Sequence, residues 1–218
     1  MAIKVNGTTV INDSRALSNI SSVDATTAAA ITAGGVGGGH WTSLSEVTLG
    51  GSGVSAIDIT LPSGYDKHRL DFVLPAQPSG ASGTALLLQF LNSGNTAQNF
   101  MYSVWYGGYP VYRNQSEQSA SQYLVPDVGD FIVGSYKTYI HGVLEILDAN
   151  SSSFDTRYLA SVGAAAEVSG EPICVIAQGK QTTGLTATSS KVRFKWQNSS
   201  NFDTGSGYYY RLYGHSYS

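Results

Sequence analysis

The sequence predicts an all-β protein: an antiparallel, jelly-roll-like β-sandwich preceded by an extended N-terminal segment with a short helix. Three observations predict it. Apolar residues alternate with small or polar ones over many short runs, most clearly Ile57, Ile59, Leu61 and then Leu70, Phe72, Leu74. Successive strand side chains point to opposite faces, so a period of two means one face in a core and one in water. Turn formers separate the runs, as in Pro62-Ser63-Gly64-Tyr65-Asp66 and Asn92-Ser93-Gly94-Asn95. Many short strands at close spacing favour a sandwich or jelly roll. No long amphipathic helix competes, and no repeat of the β-helix kind is present.

In chain order, residues 1–39 differ from the rest. Ile3-Lys4-Val5 and Thr8-Thr9-Val10-Ile11 flank Asn6-Gly7, a hairpin signal. Leu17, Ile20 and Val23 follow at three-residue spacing. Asp24 is placed to cap a brief helix over 25–33, which Gly34 and Gly35 end. The run Gly34-Gly35-Val36-Gly37-Gly38-Gly39 reads as a flexible joint. This segment has no core of its own. Its apolar residues Ile3, Val5, Val10, Ile11, Leu17 and Ile20 are therefore expected to anchor on another surface. Residues 40–218 form the expected sandwich domain. Strands are expected at 41–49, 54–61, 69–74, 84–91, 99–106, 109–113, 137–147, 156–162, 171–178, 191–197 and 208–213.

Composition narrows the function. Charged residues make up only 12%, about half the usual share, while Gly (25) and Tyr (14) are abundant. Such a balance suits β-rich assembly or extracellular surfaces. The net charge of −3 offers no basic footprint for nucleic acid. No signal-peptide pattern and no apolar run near the ~20 residues of a membrane helix are found, so synthesis in a cytoplasm without membrane insertion is expected. Cys174 is the single cysteine, which leaves no intrachain disulfide and no Cys-based zinc site. It lies in Ile173-Cys174-Val175-Ile176, where a buried, inert thiol is expected.

Catalytic patterns are sparse. No G-x-S-x-G elbow, phosphate loop, dinucleotide fingerprint or EF-hand loop occurs. His40, His68, His141 and His215 share no ligand spacing, and His141 reads as a hydrogen-bonded structural histidine. Glycan cleavage needs two facing carboxylates, for which Asp127 with Asp130, or Asp58 with Asp71 on neighbouring strands, are the candidates. The expectation is a non-enzyme with no cofactor and no metal. Lys191, Arg193 and Lys195 alternate with Val192, Phe194 and Trp196, giving a cationic stripe that either binds an anionic sugar or is a solvated face guarding an edge strand.

Aromatic residues give the stronger binding signal. The run from Phe100 to Arg113 carries Tyr102, Trp105, Tyr106, Tyr109 and Tyr112 around Gly107-Gly108. Alternation puts Tyr102, Val104 and Tyr106 on one face and Met101, Ser103 and Trp105 on the other. One face meets the core, and the other either meets a second surface, a receptor or a sister subunit, or leaves Trp105 and Tyr106 as residues of the sandwich core itself. Tyr208-Tyr209-Tyr210-Arg211-Leu212-Tyr213 has the same two-sided character, expected of an inner strand or an intersubunit contact.

The leader, Met1-Ala2-Ile3-Lys4-Val5-Asn6-Gly7-Thr8-Thr9-Val10-Ile11 through Arg15-Ala16-Leu17-Ser18-Asn19-Ile20, resembles that of tailed-bacteriophage tail-fibre and virion structural proteins. The body, with Ile57-Asp58-Ile59-Thr60-Leu61-Pro62-Ser63-Gly64-Tyr65, Arg69-Leu70-Asp71-Phe72 and Arg211-Leu212-Tyr213-Gly214, resembles compact phage β-sandwich domains. The resemblance implies a homotrimeric virion appendage. Its leader docks on other virion proteins and its sandwich contributes to attachment to a host-surface glycan. The chain departs from large fibres in having no long shaft, and from depolymerase spikes in having no β-helix. It is therefore expected as a short tail fibre or tip. A purely architectural capsid, collar or adaptor protein is the alternative, and a glycan-degrading tailspike the third.

Overall fold

The computed structural model describes residues 3–5, 8–11, 41–49, 53–75, 85–108, 111–125, 140–165, 172–182, 188–199, 201–202 and 208–217. The chain divides into two compact units, Met1–His40 with Ser218, and Trp41–Tyr217. In the first, β1 (Ile3–Val5) pairs antiparallel with β2 (Thr8–Ile11) across Asn6-Gly7, with Ile3 opposite Ile11. Leu17, Ile20 and the expected helix over 25–33 lie outside the described residues, as do Asp127 and Asp130.

The second unit is all-β, and every strand pair is antiparallel. No helix occurs among the described residues. In chain order its strands are β3 (Thr42–Leu49), β4 (Ala56–Thr60), β5 (Lys67–Leu74), β6 (Leu86–Leu91), β7 (Phe100–Gly108) and β8 (Val111–Ser119). Then come β9 (Gln122–Val125), β10 (Ile140–Leu147), β11 (Arg157–Ala165), β12 (Pro172–Gln181), β13 (Lys191–Trp196) and β14 (Tyr208–His215). Among the described residues, eight strands form one sheet in the order β3-β14-β5-β10-β11-β12-β7-β8, and four form another in the order β4-β13-β6-β9.

The alternating runs build one shared core. Ile57 and Ile59 of β4, Leu70, Phe72 and Leu74 of β5, and Val192, Phe194 and Trp196 of β13 are all buried in it. Rings from the two sheets meet there. Phe72 lies 5.1 Å from Phe194, and Phe90 of β6 lies 4.6 Å from Phe100 of β7 and 5.3 Å from Tyr158 of β11. Gly142 leaves room for this packing. A Cβ there would come within 2.7 Å of both the Phe72 ring and the Ser161 carbonyl oxygen.

Two expectations change. β4 and β5, expected as neighbouring strands, do not pair with each other. β4 pairs with β13 and β5 with β10 and β14, so the loop between them crosses from one sheet to the other. Asp58 and Asp71 accordingly stand in different sheets. Each is held by an arginine: Arg193 Nε and Nη2 donate to Asp58 at 2.6 and 2.7 Å, and Arg69 Nε donates to Asp71 at 2.8 Å. The Arg193 hydrogen bond lowers the Asp58 pKa against the opposing effect of burial. β13 is not an edge strand, since β4 and β6 flank it. Its outward stripe is also engaged, with Arg193 on Asp58 and Lys191 Nζ donating to Asn95 at 2.7 Å. β14 is an inner strand between β3 and β5.

Candidate functional site

The large sheet turns one face to the core, and among the described residues nothing covers the other, which is divided. Over β5, β10, β14 and β3 it is charged and self-paired. Lys67 pairs with Glu145 at 2.9 Å, Arg69 with Asp71 at 2.8 Å, and Arg211 with Glu46 at 2.9 Å. Over β7, β12 and β11 it is different. Here Met101 (57% exposed), Trp105 (56%), Ile176 (48%) and Leu159 (47%) stand in solvent.

Register sets this patch. Trp105 stands opposite Ile176, and Ile176 opposite Ser161. One rung along, Ser103 faces Gln178, which faces Leu159; beyond it Met101 faces Lys180, which faces Arg157. Directly opposite side chains in a sheet lie about 4.5–5.5 Å apart. Trp105 and Ile176 are thus direct neighbours, and Leu159 stands on the diagonal from Ile176, on a broad face interleaved with hydroxyl and amide groups. Met101, Ser103, Gln178, Gly179, Lys180 and Arg157 border a shallow depression of about 360 Å³. Beneath it lies Tyr158, whose phenol pKa is pushed up by burial, with a smaller contribution from Tyr102.

The sequence-derived aromatics separate. Tyr102 is buried with Val104 in the core, while Trp105 and Met101 face out, as alternation requires. Tyr106 and Tyr112 have backbone positions on β7 and β8, their side chains lie outside the described residues, and so does Tyr109 entirely. Ile3, Val5, Val10 and Ile11 sit on the β1–β2 hairpin. Cys174 is exposed rather than buried. The core takes Val175 and Ala177 from β12, so Cys174 and Ile176 fall on the opposite face. His141 is also on that face. Its ring lies over Gly163, where a Cβ would come within 2.6 Å of it. Sequence reasoning missed Leu159 and Ile176, although the alternation of Tyr158, Ala160 and Val162 already placed Leu159 on the opposite face.

Fold and face together define an antiparallel all-β protein with one large sheet surface that no described residue covers. No protein-family model, curated protein or solved structure matches the chain.

Proposed function

We propose that this chain is a structural protein of a tailed-phage virion, acting as a short homotrimeric tail fibre or tip. Its two sheets make a β-sandwich. The chain switches sheets from β3 to β4, β4 to β5, β5 to β6 and β6 to β7, then again around β9 and β13, in the manner of a jelly roll. The leader hairpin anchors to the virion, and the sandwich serves attachment to a host-surface glycan.

One observation carries the reading: the exposed Trp105–Ile176–Leu159–Met101 face in a chain poor in charge. Trp, Met and aliphatic side chains with few charges are the composition of a protein–protein contact centre. A broad sheet face also suits a second broad protein surface better than a single sugar ring. The face is therefore the contact between sister copies, and glycan attachment belongs elsewhere on the domain.

Sedimentation equilibrium of the full chain tests this. The native protein should have the mass of three chains, and the double variant Trp105→Glu/Ile176→Glu should fall to one chain while keeping its β-type circular dichroism. A native monomer, or a variant that stays trimeric, refutes it.

A further inference from the structure

The connection between β4 and β5, the connection between β10 and β11, and the two residues after β14 enclose a cleft of about 440 Å³. We propose that this cleft binds a neutral pyranose sugar. The inference rests on the attachment reading above and gives it a site and a ligand class.

The three segments are fixed to one another. The Asp148 amide donates to the Asp66 carbonyl at 2.8 Å, and the Asp66 amide to the His215 carbonyl at 3.0 Å. The Tyr217 amide donates to Asp66 Oδ2 at 2.6 Å, and Ser216 Oγ to the Gly64 carbonyl at 2.8 Å. Asn150 Nδ2 donates to the Pro62 carbonyl at 3.1 Å. Within the β10–β11 connection, Ser151 Oγ accepts from the amides of Ser153 and Phe154 at 3.1 and 3.0 Å. A site held this way loses little freedom when a ligand arrives.

Its lining has two parts. Phe154 and Tyr217, each 63% exposed, are the most exposed of the large apolar or aromatic side chains described. Both border the cleft, as does Tyr65. The same cleft is lined by Asp66, Asp148 and Ser153. A pyranose has an apolar C–H face and a rim of hydroxyls. The rings supply flat apolar surface for the first, and carboxylates, with about four acceptor positions each, bind the second. Cleft volume falls within the range of small-ligand sites.

Charge selects the sugar. Asp148 Oδ2 accepts from Arg157 Nη2 at 2.7 Å, and no cationic residue lines the cleft among those described. An anionic sugar would meet two carboxylates, with only the Arg157 guanidinium on Asp148 to offset them, so uronic and sialic acids are disfavoured. One shallow cleft binds weakly. Three copies on one homotrimer raise the avidity by roughly 10²–10⁴ if their spacing matches the surface.

The test is binding of the full chain to an array of immobilised neutral and anionic bacterial glycans, repeated with Phe154→Ala and Asp148→Asn. Asn tolerates the left-handed backbone that Asp148 adopts (φ 58°). Neutral hexose glycans should be bound, and each variant should weaken binding about five-fold or more with unchanged thermal stability. Binding that survives both substitutions overturns the cleft assignment while leaving glycan attachment standing. A preference for anionic glycans overturns the ligand class. Loss of binding on adding a calcium chelator, with calcium alone shifting the amide signals of Asp66 and Asp148, replaces the sugar site with a metal site. Absence of binding to any glycan removes both this inference and the attachment reading.

Discussion

Phe90 joins the two sheets, so truncating it measures how strongly they hold each other. Its side chain is fully buried on β6 of the small sheet. Its ring lies 4.6 Å from Phe100 and 5.3 Å from Tyr158, both on the large sheet. Phe→Ala in a core costs about 3–5 kcal/mol, from lost transfer energy plus the cavity left behind. Ring pairs add about 0.5–1.5 kcal/mol beyond burial. With partners fixed on the opposing sheet, the site collapses poorly, so the loss belongs in the upper half, about 4–5 kcal/mol. For a domain of this size that is roughly 8–20 °C in Tm. Guanidinium unfolding followed by tryptophan fluorescence reads it as a fall in midpoint at constant slope. Phe154→Ala, on an exposed loop, is the control and should change stability by no more than about 0.5 kcal/mol. If Phe90→Ala costs under about 1 kcal/mol, the sheets do not depend on this contact and the shared core is misplaced.

Other outcomes follow from single features. Tyr158 Oη is buried without a hydrogen-bond partner among the described residues. Tyr158→Phe should therefore be neutral or raise stability by about 1 kcal/mol in thermal unfolding, and a loss above that would show an unseen partner. Gly142→Ala drives a Cβ against the Ser161 carbonyl oxygen and the Phe72 ring. It should cost about 1–3 kcal/mol in the same assay, and a neutral result would mean β10 and β11 separate freely. His68 is buried, and burial lowers its pKa below the ordinary value of 6.5, partly offset by its hydrogen bond to the Pro62 carbonyl at 3.0 Å. Above about pH 6.5 both folded and unfolded states hold it neutral. Below that the unfolded state takes the proton first, so stability falls with pH. Urea midpoints between pH 7.5 and 5 should decline for the native protein and decline less for His68→Gln; equal slopes would remove His68 as the cause. Asp58 acts in the same direction in a lower window, as pH falls below about 4, where its bond to Arg193 is lost.

Local pattern carried the strands and little of their partnership. Ile57/Ile59, Leu70/Phe72/Leu74 and Val192/Phe194/Trp196 are all core residues because alternation alone decides which face they occupy. β9 carries no such signal, since Gln122-Tyr123-Leu124-Val125 is short and puts a buried amide where an apolar residue is expected. β8 runs on to Ser119 through a polar stretch, Asn114 to Ser119, that carries no alternation to see. The pairing of β4 with β13 spans more than a hundred residues, and no local run encodes it. Cys174 misled because a continuous apolar run suggests burial on both faces, whereas the large sheet has only one face on the core. At the candidate site, Trp105 was visible in the sequence. Phe154 and Tyr217 were not, because their company with Asp66 and Asp148 exists only once three distant segments meet.

The sister-copy contact on the large sheet is the central claim, and Cys174 is a reporter already in place. It is the only thiol, and it stands on the exposed face of β12 two residues from Ile176. The decisive measurement is its rate of reaction with a maleimide in the native protein, well above the concentration at which the assembly dissociates. In the native assembly the thiol should be shielded and react slowly, and in Trp105→Glu/Ile176→Glu it should react as fast as a free thiol. Equal, fast labelling in both would mean that no sister subunit covers this face.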